Sequence, residues 1–124
     1  MGINSLSQYA PILGRVLIGF FFFFFGIWNA MHWRPTLEFM YQKKIPIAMP
    51  FLFLGIAWQT ITGLLLMLGI WVKLVALLLI PFDIISVLIF HAFWNFTGET
   101  RRLNMLLFVA NLTATLGALL LLLN

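Results

Sequence analysis

Four apolar stretches in this sequence are each long enough to cross a lipid bilayer. Spanning about 30 Å of hydrocarbon takes roughly 20 helical residues. Lipid offers no hydrogen bonds to a backbone, so segments of this length predict helices, whereas the strands of a barrel are shorter. The sequence therefore predicts an all-α membrane protein, a four-transmembrane-helix antiparallel bundle with short loops. The four predicted helices cover about residues 9–31, 48–70, 73–93 and 103–123.

Charged residues are too few to cover a protein in water. The chain has 7 basic and 3 acidic residues among 124, and 64% of its residues are hydrophobic, whereas a soluble domain carries about 25% charged residues. The length suits one domain covering residues 1–124. The basic residues are scattered singly or in pairs, so no nucleic-acid partner is expected. The absence of cysteine excludes disulfides and thiol chemistry.

The first apolar stretch has no basic segment before it and no cleavage site of small residues, so we expect it to be a membrane helix rather than a cleaved signal peptide. The connection that follows it allows two interpretations. Leu37, Met40 and Tyr41 would share one face of a short interfacial helix, but a segment this short is equally compatible with an irregular loop.

Lysine and arginine are distributed unevenly between the two sides of the predicted bundle. Five of them flank the first and third connections, and the other side has Lys73 and Arg15. Connections with more basic residues stay in the cytoplasm. We therefore expect a multi-pass protein of the bacterial inner membrane, with loops one and three in the cytoplasm and both termini outside. The five are Arg34, Lys43, Lys44, Arg101 and Arg102.

Polar residues inside the apolar stretches form a candidate site. Gln59, Asp83 and Asn111 each lie about 13–16 Å from the start of their helices, close to the bilayer midplane. Arg15 is long enough to reach toward Asp83 from the outer end of the first helix. Two interpretations stay open. In the first, Arg15 and Asp83 form a structural ion pair, and Gln59 and Asn111 form hydrogen bonds between helices. In the second, the four side chains line a pocket that binds a ligand or relays a proton.

Two histidines, His32 and His91, are predicted at the cytoplasmic ends of their helices. Histidines on facing helices can bind a metal or haem, but at a membrane interface they commonly serve as polar anchors. With no closely spaced ligand set, we expect no tightly bound metal or haem. No motif for nucleotide or hydrolytic chemistry is present.

Three segments carry a resemblance to a known family: GIAWQTITGLLLMLGIWVK (55–73), FHAFW (90–94) and NLTATLGAL (111–119). They resemble the DoxX family of small bacterial membrane proteins. The resemblance covers nearly the whole chain, with Arg15 opening the first helix. In the family, an acid is common where this chain has Gln59, and two glycines occur where it has Thr62 and Gly63.

The resemblance implies a four-helix inner-membrane protein, in a family associated with quinone-dependent sulfur oxidation and membrane redox complexes. The first hypothesis is an accessory subunit of a redox system that binds a lipophilic, quinone-like molecule and does not act as an enzyme alone. The second is a membrane anchor for redox partner proteins, and the third is a small-solute transporter that acts as a homo-oligomer. The expected pocket residues are Arg15, Gln59, Asp83 and Asn111, with His91 at the cytoplasmic mouth.

Overall fold

A computed structural model describes residues 2–124, and in that range the chain is helical with no β-strand. Four helical spans are long and apolar enough to cross a membrane, which confirms the predicted fold class. In chain order the elements are α1 (Ile3–Met31), α2 (Trp33–Gln42), α3 (Ala48–Leu68), α4 (Val72–Phe90), a 3-10 turn (Phe93–Asn95), α5 (Gly98–Ala110), a π-helical segment (Asn111–Thr115) and α6 (Leu116–Leu121).

The helix bounds differ from the predicted ones mainly where the sequence is polar. Helix α1 begins six residues before the predicted start at residue 9, and the last span begins at Gly98 rather than residue 103. Both extra segments contain polar residues, which hydropathy does not count as part of a span. The connection after α1 is helical, as α2, so the irregular-loop interpretation is wrong. That α2 lies at the membrane interface stays a prediction.

The chain divides into two compact units, one ending at Ile70 and the other comprising Trp71–Asn124. That all four helices form a single domain stays a prediction. In the first unit, α1 and α3 run antiparallel and approach closely. A Cβ added to Gly19 would lie 2.7 Å from the carbonyl oxygen of Gly63, and one added to Gly26 would lie 2.9 Å from the backbone nitrogen of Thr60. Small residues allow such backbone approach in membranes, where lipid competes equally for larger apolar side chains.

Helix α3 ends in a Schellman motif at Gly69, which has a φ of +76°. The Gly69 N–H donates to the Leu66 carbonyl at 3.2 Å and the Ile70 N–H to the Leu65 carbonyl at 2.9 Å. A left-handed residue at this position favours glycine. The Arg15 guanidinium carbon lies 3.0 Å from where a Gly69 Cβ would be, so Arg15 is level with the end of α3, where the helix dipole favours a cation.

Helix α2 lies alongside the first turns of α3. The Trp33 and Phe53 rings have centroids 5.5 Å apart, and Leu37 and Met40 are buried. The chain turns at His32 between α1 and α2. Helix α2 faces the beginning of α3, and α1 faces the part of α3 that follows. Together α1 and α2 therefore line α3 along its length.

In the second unit, α4 packs against the π-helical segment and α6. Its buried residues follow helical spacing: Val75, Ala76, Leu79, Asp83 and Val87. The π-helical segment interrupts the last span, and wide turns of this kind occur frequently at functional sites.

Candidate functional site

Asp83 is an acidic residue in the middle of a membrane-spanning helix, and it lies on the buried face of α4. It is 4% exposed, and within residues 2–124 its Oδ2 atom is buried without a hydrogen-bond partner. A buried polar atom without a partner costs about 1–3 kcal/mol. Ionisable residues in membrane helices commonly mark functional sites for this reason. Asp83 is therefore the centre of the candidate site.

The hydrogen bond between His91 and Asn104 sets the register of α4 against the last span. The His91 Nδ1 atom lies 2.9 Å from Asn104 Oδ1. Counting back along α4 from His91 places Asp83 about 12 Å away, and counting forward from Asn104 places Asn111 about 10.5 Å away. Because the two helices are antiparallel, Asp83 is level with the beginning of the π-helical segment. The structure therefore brings Asp83 and Asn111 to one depth of the second unit.

The side chain of Asn111 is already engaged at this depth. Its amide nitrogen donates to the Leu107 carbonyl at 2.8 Å, and the Thr113 hydroxyl donates to the Val109 carbonyl at 2.6 Å. Both acceptors precede the π-helical segment, where the regular hydrogen-bond ladder changes. In lipid such carbonyls need partners within the protein. Asn111 therefore supports the wide turn, and its Oδ1 is the atom available to a ligand.

The His91–Asn104 bond leaves one histidine nitrogen available. The Asn104 amide nitrogen donates to the Thr100 carbonyl at 2.9 Å, so its Oδ1 faces His91. An amide oxygen only accepts, so Nδ1 carries the proton, and in the neutral ring Nε2 is left as an acceptor. His91 can thus accept a hydrogen bond from a ligand hydroxyl.

Aromatic rings follow His91 in the chain. The Phe93 and Phe108 rings have centroids 5.3 Å apart, and the Trp94 and Phe108 rings 5.7 Å apart. Both pairs are edge-to-face, a favourable aromatic arrangement. The cluster of Phe93, Trp94 and Phe108 gives the third-connection end of this unit an apolar, aromatic surface next to a polar histidine.

Gln59 and Arg15 lie in the first unit. The Asn29 side-chain nitrogen donates to Gln59 Oε1 at 3.1 Å, which joins α1 to α3 between side chains that are partly buried. The Arg15 Nε atom is buried and has no hydrogen-bond partner within residues 2–124. That either residue lines a pocket with Asp83 stays a prediction.

His32 occupies the turn between α1 and α2. Its Nδ1 atom lies 2.9 Å from the Trp28 carbonyl oxygen, and its ring stacks on Trp28 with centroids 4.2 Å apart. These contacts are those of a polar anchor at a helix end. In the described part of the chain, no three His, Asp or Glu side chains are grouped so that they could hold a metal ion.

Sequence reasoning missed two partners, Asn29 and Asn104. Each was visible as an amide residue near a helix end on the same helix face as other polar residues, but hydropathy alone does not say which helices are neighbours.

Four apolar spans with buried polar residues define an integral, multi-pass membrane protein. The DoxX family model matches residues 10–92, more than half of the chain. The chain therefore belongs to the DoxX family. It is similar to the inner membrane protein YphA of Escherichia coli (strain K12), with 26% identity over 111 residues that cover 90% of this chain and 79% of YphA. No solved structure matches the chain. Both the relative and the four spans support a location in the inner membrane.

Proposed function

We propose that this protein is an accessory subunit of a membrane redox system and binds a lipophilic, quinone-like molecule in its second unit. The observation that carries the proposal is the buried Oδ2 atom of Asp83, which lacks a hydrogen-bond partner in the described residues. A carboxyl group accepts hydrogen bonds when ionised and donates one when protonated. It can therefore bind either a hydroxyl or a carbonyl group of a ligand.

Three further features favour a ring-shaped ligand with oxygen substituents. His91 Nε2 is available as an acceptor, Asn111 has a free amide oxygen, and aromatic side chains follow His91. Ligand sites of this type are mostly apolar with a few polar groups that orient the ligand. With no cysteine in the chain and no tightly bound cofactor expected, the bound molecule would supply the redox chemistry.

A membrane anchor for partner proteins remains the second candidate. The observation that favours it is the basic, exposed beginning of α5, where Arg102 pairs with Glu99 at 3.5 Å and Arg101 lies over the Phe93 ring.

The test is a binding titration of the purified protein in detergent with a short-chain ubiquinone and, separately, a short-chain menaquinone. Quenching of tryptophan fluorescence measures the binding. We expect saturable binding by the parent protein. Asp83→Asn should weaken it about tenfold or more, as expected when a hydrogen bond to a charged group worth about 1.5–3 kcal/mol is altered. Glu99→Gln is the matched control, since Glu99 is exposed and lies outside the candidate site.

Thermal unfolding of the same variants separates a ligand role from a structural one. If Asp83 serves the ligand, Asp83→Asn keeps the parent's melting temperature while binding collapses. If Asp83 is a structural residue, the melting temperature falls and binding falls in proportion. Absence of saturable binding of both quinones to the parent protein would overturn the proposal, and a co-purifying soluble protein in that case would favour the anchor.

A further inference from the structure

Helix α1 carries an unbroken stripe of apolar side chains at heptad spacing, with steps of three and four residues over its whole length. Every member is exposed, and those with an individual value are between 42% and 79% exposed. A repeat of this kind gives a helix one continuous apolar face along its length, as the seam between paired helices requires. The stripe consists of Ile3, Leu6, Ala10, Leu13, Leu17, Phe20, Phe24, Ile27 and Met31.

The stripe lies on the opposite side of α1 from α3. The side of α1 that faces α3 includes Gly19, Phe22 and Gly26, which are buried. At 3.6 residues per turn, the heptad stripe is displaced from that side by about half a turn. The two faces therefore do not compete, and a helix bound to the stripe would leave the α1–α3 contact intact.

Lipid cannot cover the beginning of this stripe. Arg15 is level with Gly69, where α3 ends, and the length of α3, about 31 Å, matches the hydrocarbon thickness. Residues 3–14 continue for about 18 Å past this level, whereas the headgroup layer adds only about 5–7 Å on each side. The first two turns of α1 therefore extend into water, and Ile3 and Leu6 are 79% and 65% exposed there.

The composition of these turns agrees with this placement. Asn4, Ser5 and Gln8 lie on the side away from the stripe, so the segment is amphipathic. A helix that is apolar along one face in water needs a partner for that face. Residues 3–14 contain no charged side chain, so two copies of the segment can approach without charge repulsion.

We propose that two copies of this chain pair through the heptad stripe of α1 as a parallel two-helix coiled coil, which begins outside the membrane and continues into it. Copies inserted in the same orientation present identical stripes to each other, as a two-fold symmetric interface requires. Leu6 of one copy then faces Leu6 of the other. Leu13, which is one heptad further along the helix, likewise faces Leu13 of the other copy. This pairing is independent of the proposed quinone site, which lies in the second unit.

The absence of cysteine in the chain makes disulfide cross-linking a direct test. Single variants Leu6→Cys and Leu13→Cys place a thiol on the stripe, and the matched controls Ser5→Cys and Gln8→Cys place one on the same turns away from it. Mild oxidation of protein in native membranes should yield disulfide-linked dimers for the two stripe variants and little or none for the controls.

A double variant, Leu6→Glu with Leu13→Glu, provides a second measurement by light scattering of the purified protein in detergent. We expect a dimer for the parent and a monomer for this variant, with unchanged helix content. Equal cross-linking of all four single-cysteine variants would overturn the proposal. So would a monomeric parent protein together with no cross-linking of any of these variants. Monomeric parent protein whose first turns bind vesicles would assign the stripe to the membrane surface instead.

Discussion

The contact between α1 and α3 is tested most directly by adding one methyl group at Gly63. A Cβ at this position would lie 2.6 Å from the Gly19 carbonyl oxygen and 2.9 Å from the Phe23 Cα, and it would meet the Phe23 nitrogen as well. Ordinary contacts of this kind are about 3.5–4 Å long. All three neighbours are backbone atoms, so no rotamer change relieves the clash, and the two helices must separate by roughly 1 Å.

The expected loss of stability follows from this separation. Overpacking a close contact costs about 1–3 kcal/mol, and moving the helices apart also weakens the Asn29–Gln59 hydrogen bond, which lies at the same interface and is worth about 0.6 kcal/mol on average in a membrane. We therefore expect Gly63→Ala to destabilise the protein by about 1–3 kcal/mol.

Gly14→Ala is the matched control on α1. A Cβ at Gly14 has no atom within 4 Å, so the substitution adds only the better helix propensity of alanine and should stabilise by about 0.5–1 kcal/mol. Reversible unfolding in mixed micelles, followed by circular dichroism, measures both variants. A Gly63→Ala protein as stable as the Gly14→Ala protein would refute the close approach of α1 and α3.

Two further predictions concern the membrane orientation and the hydrogen bond of the first unit. Reporter fusions at both termini should score as periplasmic, because the first and third connections carry most of the basic residues; a cytoplasmic C-terminus would contradict this. Asn29→Ala and Gln59→Ala should each destabilise modestly, and a double-mutant cycle should give a coupling of about 0.6 kcal/mol, and at most about 1.7, whereas strictly additive effects would show that the bond contributes nothing.

The number and type of helices were predictable because each depends on local sequence. An uncharged stretch of twenty residues has few alternatives to a membrane helix. The same reasoning misplaced the beginning of α1, since Ser5 and Ser7 lower the hydropathy of its first turns.

The candidate site was only partly predictable, because residue depth follows from counting whereas side-chain pairing does not. Asp83 and Asn111 were expected at similar depth from the lengths of their helices. The engagement of Asn111 with the Leu107 carbonyl depends on a π-helical turn that no hydrophobic pattern reveals. A single extra residue in the turn changes which side chains face the neighbouring helix. A helix face predicted from α-helical spacing is therefore wrong for the residues that follow the π-helical segment at 111–115.

The close approach of α1 and α3 has a consequence for biogenesis. Their contacts are made entirely by residues before Gly69, and the bond between His91 and Asn104 likewise joins the next helix to its successor in the chain. Each pair consists of spans that leave the insertion machinery one after the other, and N-terminal segments generally form first during synthesis. In a nascent chain of this protein, α1 and α3 can therefore pack against each other through Gly19, Gly26 and Gly63 while the second pair of spans is still being translated. No inserted helix then has to remain unpaired until a segment far along the chain has been synthesised.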